Sequence, residues 1–395
     1  MKAVPYSLFG LCGLVFPIIG VILPDLARDF GVGVADIGFV ATLMVAMFAL
    51  FLLVASSLMN SLGAKRPVIV SLVIMAVASA CMFLFKSQPA FTIGAALIGL
   101  ASGIQMAAAN WYMVHRYLPH ERAGKLNLLN LFFSAGGFLS PISAGLLLKV
   151  GVHWSTLYAA ISLICLGMVA WVSTLREDTM PQAAATPTDA GLSDVAAAIP
   201  KKFLRFVVIC ALGLFTYVFS EYVFTNWIVT WGRNILGMPI DQASALLSLF
   251  WLTMAIGRGL ASQLIAKLGE KRYLLLCLAA STIIALATFA LRDSALLFAG
   301  SIMLGFTFAG VYPTLFALAL IPLHHVPRSV LTVLSGIGPV GGMIAMLASS
   351  MVMKAAGLEA TFALCFSFAI ICLGLVIFVF QTSTGRTSIR KSPVQ

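Results

Sequence analysis

The chain has 395 residues, of which 61% are hydrophobic and only 9% charged, and its formal net charge is +11. A soluble globular protein carries about 25% charged residues because its surface faces water, so these proportions exclude a water-soluble domain. The basic surplus does not indicate nucleic acid, because the lysines and arginines lie in short gaps between apolar stretches rather than along one face.

A membrane-spanning helix needs about 20 apolar residues, and the sequence offers twelve such stretches: 6–24, 36–58, 67–85, 90–114, 126–148, 154–175, 204–228, 241–265, 272–291, 294–320, 330–353 and 358–380. The first follows Met1-Lys2 and looks like a signal peptide. It is long enough to span, and no small-x-small cleavage site follows, so an uncleaved helix is expected. Asp25, Arg28 and Asp29 end this span near water, where Asp25 is expected as a loop cap or outer-gate contact.

The second span closes with Ser56-Ser57-Leu58-Met59-Asn60-Ser61-Leu62-Gly63-Ala64-Lys65-Arg66. About 206 residues later the eighth span closes with Ser262-Gln263-Leu264-Ile265-Ala266-Lys267-Leu268-Gly269-Glu270-Lys271-Arg272. Serine, two leucines, glycine, lysine and arginine match in register. A repeat of half the chain implies two homologous six-helix bundles with a path between them. The predicted division is a first bundle over 1–175, a linker over 176–202 and a second bundle with a short tail over 203–395. Gly63, Lys65, Arg66, Gly269, Lys271 and Arg272 are candidate gating residues, with loops 59–66 and 266–272 bracing a state closed at their own face.

Orientation follows from lysine and arginine. With the N-terminus inside, 17 of them fall in inner loops and six in outer loops, and Arg258 lies within a span. Both termini and the linker are therefore expected in the cytoplasm, across a bacterial inner membrane. All seven cysteines sit in apolar segments and read as packing residues.

Polar residues inside spans mark candidate substrate contacts. In the fourth span Gln105 is favoured over Asn110 as the deeper amide, and in the fifth Asn130 shares a face with Asn127, Ser134, Gly137 and Pro141. Glu221 in the seventh span is the sharpest signal. A carboxylate there costs about 2.5–3.5 kcal/mol to insert, and Tyr217 and Thr225 share its face. Its expected role is to accept a substrate hydroxyl or to carry a coupling proton. Arg258 lies on a helical stripe with Ser244, Ser248, Trp251, Ala255 and Ser262. From the predicted span ends, at about 1.5 Å per residue, Glu221 lies roughly 10 Å deep and Arg258 roughly 25 Å, too far apart to pair. Arg258 is instead expected to reach the cytoplasm or brace a gate against helix carbonyls. Trp251 and Tyr312 are the stacking candidates among the aromatic residues.

The doubled element, twelve spans and central linker resemble the major facilitator superfamily over essentially the whole chain. Ser56 replaces the first glycine of that family's loop motif, and Asn60 and Ala266 stand at its acidic position. From the seventh span onward, Tyr217-Val218-Phe219-Ser220-Glu221, Asn226-Trp227-Ile228-Val229-Thr230, Phe250-Trp251 and Gly257-Arg258 are similar to the fucose/glucose-type sugar permeases. That resemblance implies an all-α, alternating-access carrier of a sugar. The carboxylates of spans one and four through which that family couples protons are absent here, where Gly20 and Gln105 stand.

The expected function is transport of a small polar solute, a sugar or related metabolite, with efflux of small amphiphiles as the rival and a non-transporting membrane sensor as a third reading. An enzyme is not expected, since all five histidines fall in loops or at span ends. No cofactor or metal is expected. The expected partners are a small-molecule substrate, the lipid bilayer and a coupling proton or other ion, and the chain is expected to work as a monomer.

Overall fold

The computed structural model describes residues 1–176, 201–321 and 328–383. Apart from Arg176 and the helical Lys201 and Lys202, the expected linker lies outside the described residues, as do Arg386, Arg390 and Lys391 of the tail.

The described residues are all helical or in short turns. In chain order the helices are α1 (Val4–Phe30), α2 (Val34–Leu62), α3 (Lys65–Phe85), α4 (Gln88–Arg116), α5 (Pro119–Lys149), α6 (Ser155–Thr174), α7 (Lys201–Asn234), α8 (Ile240–Leu268), α9 (Glu270–Leu291), α10 (Ser294–Phe308), α11 (Val311–Leu320) and α12 (Arg328–Ser383). The correspondence with the twelve expected spans is not one to one. Span ten is split into α10 and α11 at Ala309 and Gly310, where the Tyr273 ring crowds the Gly310 backbone. Spans eleven and twelve form the two arms of α12, on either side of Gly357 at φ 84°.

Two helix ends differ from expectation in ways that affect the interior. Helix α1 continues to Phe30 and closes on left-handed Gly31, so Asp25, Arg28 and Asp29 occupy its last turns instead of a loop. Helix α7 continues to Asn234, six residues past the predicted boundary.

Large side chains such as Leu50, Val54, Val77, Leu163 and Ile283 stand exposed on the outer surfaces of the bundles. In water such a surface would aggregate. In hydrocarbon it is the solvated face, and backbone polar groups are satisfied within each helix. Among the described residues eleven helical segments are long and apolar enough to cross a bilayer, and one of them, Val333–Gln381, is long enough to cross twice. The molecule is a multi-pass membrane protein.

Within the first half α1 packs on α5, α2 on α4 and α3 on α6, while α7 packs on α12 in the second. The halves meet where α5 lies on α8, α2 on α12 and α1 on α7. The repeated turn is alike in both. Gly63 at φ 72° and Gly269 at φ 77° each end a helix in a conformation that a Cβ disfavours. Lys65 donates to the carbonyls of Ser173 and Leu175, at 3.0 and 2.6 Å, capping the end of α6. Its repeat partner Lys271 sits 5.5 Å from the Phe380 ring at the end of α12. Each lysine thus ties the turn to its own half. Gly63→Ala and Gly269→Ala are each expected to cost about 1 kcal/mol of stability, read as a lowered Tm of purified protein. Gly167→Ala, in open space on α6, should leave Tm unchanged or slightly raised.

Candidate functional site

A cavity of about 160 Å³ lies between the halves, lined from α1, α2, α4 and α5 on one side and from α7 and α8 on the other. Glu221, Tyr222, Thr225 and Asn226 follow one another along α7 into it, with Trp251 and Arg258 from α8 and Asn130 from α5.

Glu221 and Arg258 therefore share one cavity, contrary to the depths expected from sequence. The extra turns of α7 explain the difference. Glu221 is 13 residues from Asn234, or ~20 Å along the axis, and Arg258 is 18 residues from Ile240, or ~27 Å. The offset shrinks to ~7 Å. Among the described residues no ion pair joins them. Arg258 instead donates to Ser134 Oγ at 2.9 Å and to the Asn130 carbonyl at 3.4 Å, bridging α8 to α5. Glu221 is half-buried, and its carboxylate makes no ion pair among the described residues.

The remaining polar groups are only partly occupied. Asn130 and Asn226 each donate one amide hydrogen to the carbonyl four residues back, at 3.0 and 2.9 Å, which leaves both amide oxygens to the cavity. The Trp251 indole N–H is buried without a hydrogen-bond partner. Its ring packs edge-on to Phe133 at 5.5 Å and covers Gly137, where a Cβ would meet it at 2.9 Å.

Three expected substrate residues do not line the cavity. Gln105 is fully buried among α1, α3 and α4, its side chain against Cys12 Sγ at 3.6 Å and Met75 Sδ at 3.9 Å. One residue further round α4, Met106 faces the cavity instead. Tyr217 lies behind Glu221, with its hydroxyl donating to the Phe308 carbonyl at 3.0 Å. Tyr312 packs next to it, with ring centroids 6.4 Å apart. Sequence reasoning missed the wall from the first half: Phe16, Met44, Val45 and Met106. No charge or motif flags such residues.

The face opposite residue 1 is sealed by ion pairs between the halves. Arg233 of α7 reaches Asp25 of α1 at 2.8 Å. Lys149 of α5 meets Asp241 of α8, and Lys354 of α12 meets Asp36 of α2, each at 2.8 Å. The last two are related by the repeat within one residue, with the acids on the corresponding helices α2 and α8 and the bases on the corresponding helices α5 and α12. Beneath them glycine and serine are exchanged between corresponding helices: Gly38 of α2 abuts Ser350 of α12, and Gly145 of α5 abuts Ser244 of α8. Arg28 bridges Asp25 at 3.2 Å and Asp29 at 3.3 Å, and Asp29 accepts from Trp154 Nε1 at 2.7 Å. Around the rim of residue 1, Arg66 and Arg272 are exposed, and among the described residues no ion pair crosses between the halves there.

Comparison with known proteins agrees with this architecture. The model of the Major Facilitator Superfamily matches residues 6–327. A Protein TsgA homolog of Yersinia pseudotuberculosis is 24% identical over 390 residues, covering 98% of this chain and 97% of that protein. The solved D-xylose-proton symporter superposes with TM-score 0.73 at 15% identity, over 96% of this chain and 97% of that one. The E. coli fucose:proton symporter superposes with TM-score 0.63 at 18% identity, over 95% and 98% respectively. The chain belongs to the major facilitator superfamily and is a membrane transporter rather than an enzyme.

Proposed function

We propose that the chain carries a small polar solute, a sugar or related metabolite, by alternating access between its two halves. The observation that carries this reading is the interhalf cavity. It presents one carboxylate, one guanidinium and two amide oxygens. A polyol needs both donors and acceptors, and such a set supplies both. Sugar–proton symporters among the structural neighbours support the same substrate class.

Coupling is assigned to Glu221, with substrate contacts from Asn130, Trp251 and Glu221 itself. Tyr217 and Tyr312 act behind the cavity wall, positioning α7. Asp25, with Arg233, serves as the outer gate, and Arg258 as the brace between α5 and α8. Gly20 cannot be the proton site, and a side chain there would meet the Thr225 and Asn226 backbone at 3.1 to 3.3 Å. Positive charge concentrated at one face supports cytoplasmic termini, in a bacterial inner membrane. The two halves, joined by the segment 176–202, move as bundles of one chain.

Export of small amphiphiles is the second reading, favoured by the apolar wall of the first half. Proteoliposome uptake distinguishes the two. Accumulation of a hexose or pentose driven by an imposed pH gradient supports the first reading, whereas pumping of lipophilic cations with no sugar flux overturns it. Gly137→Val should push Trp251 into the cavity and reduce sugar uptake at least about tenfold, because one misplaced wall residue displaces the solute. Kinetics of the reconstituted variant check this.

A further inference from the structure

The two sides of the cavity differ in chemistry. From α1, α2 and α4 it receives Phe16, Met44, Val45 and Met106, with no polar side chain among the described residues those helices contribute. From α7 and α8 every contributed side chain has a polar atom: Glu221, Tyr222, Thr225, Asn226, Trp251 and Arg258. Helix α5 stands between, with Asn130 beside Phe133.

A uniformly hydroxylated solute would lose hydrogen bonds to water along the apolar side and regain none there, which is unfavourable for each buried polar group. A solute with a hydrocarbon edge loses nothing and gains from burial, at about 0.8 kcal/mol per methylene, or about fourfold in affinity. Methionines suit such a wall because they adapt to irregular apolar shapes.

Charge adds a second restriction. With Glu221 ionised, Glu221 and Arg258 are opposite in sign and balance each other within the cavity, and among the described residues no other carboxylate or basic side chain lines it. A solute with net charge would leave one charge uncompensated at low dielectric, which is strongly unfavourable.

We infer that the cavity selects a net-neutral, two-faced solute. Its hydroxyl- or amide-bearing edge lies on α7 and α8, and its hydrocarbon edge lies on Met44 and Met106. This rests on the polar-solute reading above and narrows it to glycoside-like molecules rather than bare polyols.

The test is calorimetric titration of the full chain in lipid nanodiscs, with empty nanodiscs as background. The probes are D-glucose, its methyl and propyl β-glucosides, D-glucuronate and D-glucosamine. From the methyl to the propyl glucoside, two added methylenes should raise affinity about fifteenfold. Both charged analogues should bind at least about tenfold more weakly than glucose. In the Met44→Ser/Met106→Ser variant the propyl-to-methyl ratio should fall below about threefold. If glucose binds and the propyl glucoside binds no better, the two-faced assignment is wrong while the polar-solute reading stands. Binding of a charged analogue as tightly as glucose overturns the neutrality requirement. If no glucose derivative binds and tetraphenylphosphonium does, the polar-solute reading fails and this inference with it.

Discussion

Replacing Arg233 with glutamine is expected to open the face opposite residue 1. The Arg233–Asp25 pair is the most buried of the three that join the halves there, with side chains 23% and 10% exposed. Breaking a buried pair costs about 3–5 kcal/mol because a charge is left behind. Arg28, 3.2 Å from Asp25, retains part of that compensation. A net loss of about 2 kcal/mol would shift the closed-to-open ratio about thirtyfold. The outer pairs differ, because Lys149 and Lys354 are 57% and 62% exposed and each pair is worth about 0–1 kcal/mol. Spin labels at Ser87→Cys and Ser294→Cys, on exposed turns of the two halves, read the result. Arg233→Gln should add a longer-distance population of at least about a third, and Lys149→Ala alone should change the distribution little. An unchanged distance distribution in Arg233→Gln would mean that the latch lies elsewhere.

Glu221→Gln is the second large effect. The amide keeps the shape of the side chain and removes its charge and its proton. Among the described residues Glu221 is the one carboxylate lining the cavity, so the proposed sugar accumulation driven by a pH gradient should fall at least about a hundredfold, the loss expected for a charged hydrogen bond. The variant would also leave Arg258 without an opposing charge. Adding Arg258→Gln should therefore cost less than the sum of the two single changes, the sign of direct coupling. Initial uptake rates at two external pH values measure both effects. Unchanged uptake with unchanged pH dependence would remove Glu221 from the coupling role.

Much of the architecture was legible because it depends on residue type alone. Twelve apolar stretches and the doubled turn at Gly63 and Gly269 define the spans and the repeat without reference to neighbours. The site was legible only in part. Glu221 and Arg258 stood out because charge inside a span is expensive, but their separation depended on where α7 ends, and helix ends are the least certain part of a sequence reading. Gln105 was selected as the deeper of two amides, over Asn110. In the structure, rotation about α4 turns Met106 to the cavity and Gln105 to the bundle interior. Asp25 was legible as an outer-gate contact, but the pairings of the latch were not. Its partners are 92, 208 and 318 residues apart, and no spacing rule links them.

The most direct test asks from which side of the membrane the cavity is reached. Thr225→Cys, with Cys81 and Cys277 changed to serine, places a thiol on the cavity wall. A membrane-impermeant maleimide should label it in inside-out vesicles and not in right-side-out ones, and adding Arg233→Gln should make it reactive from the outside as well. Labelling from neither side, in either background, would contradict a solute chamber that opens alternately between the two halves.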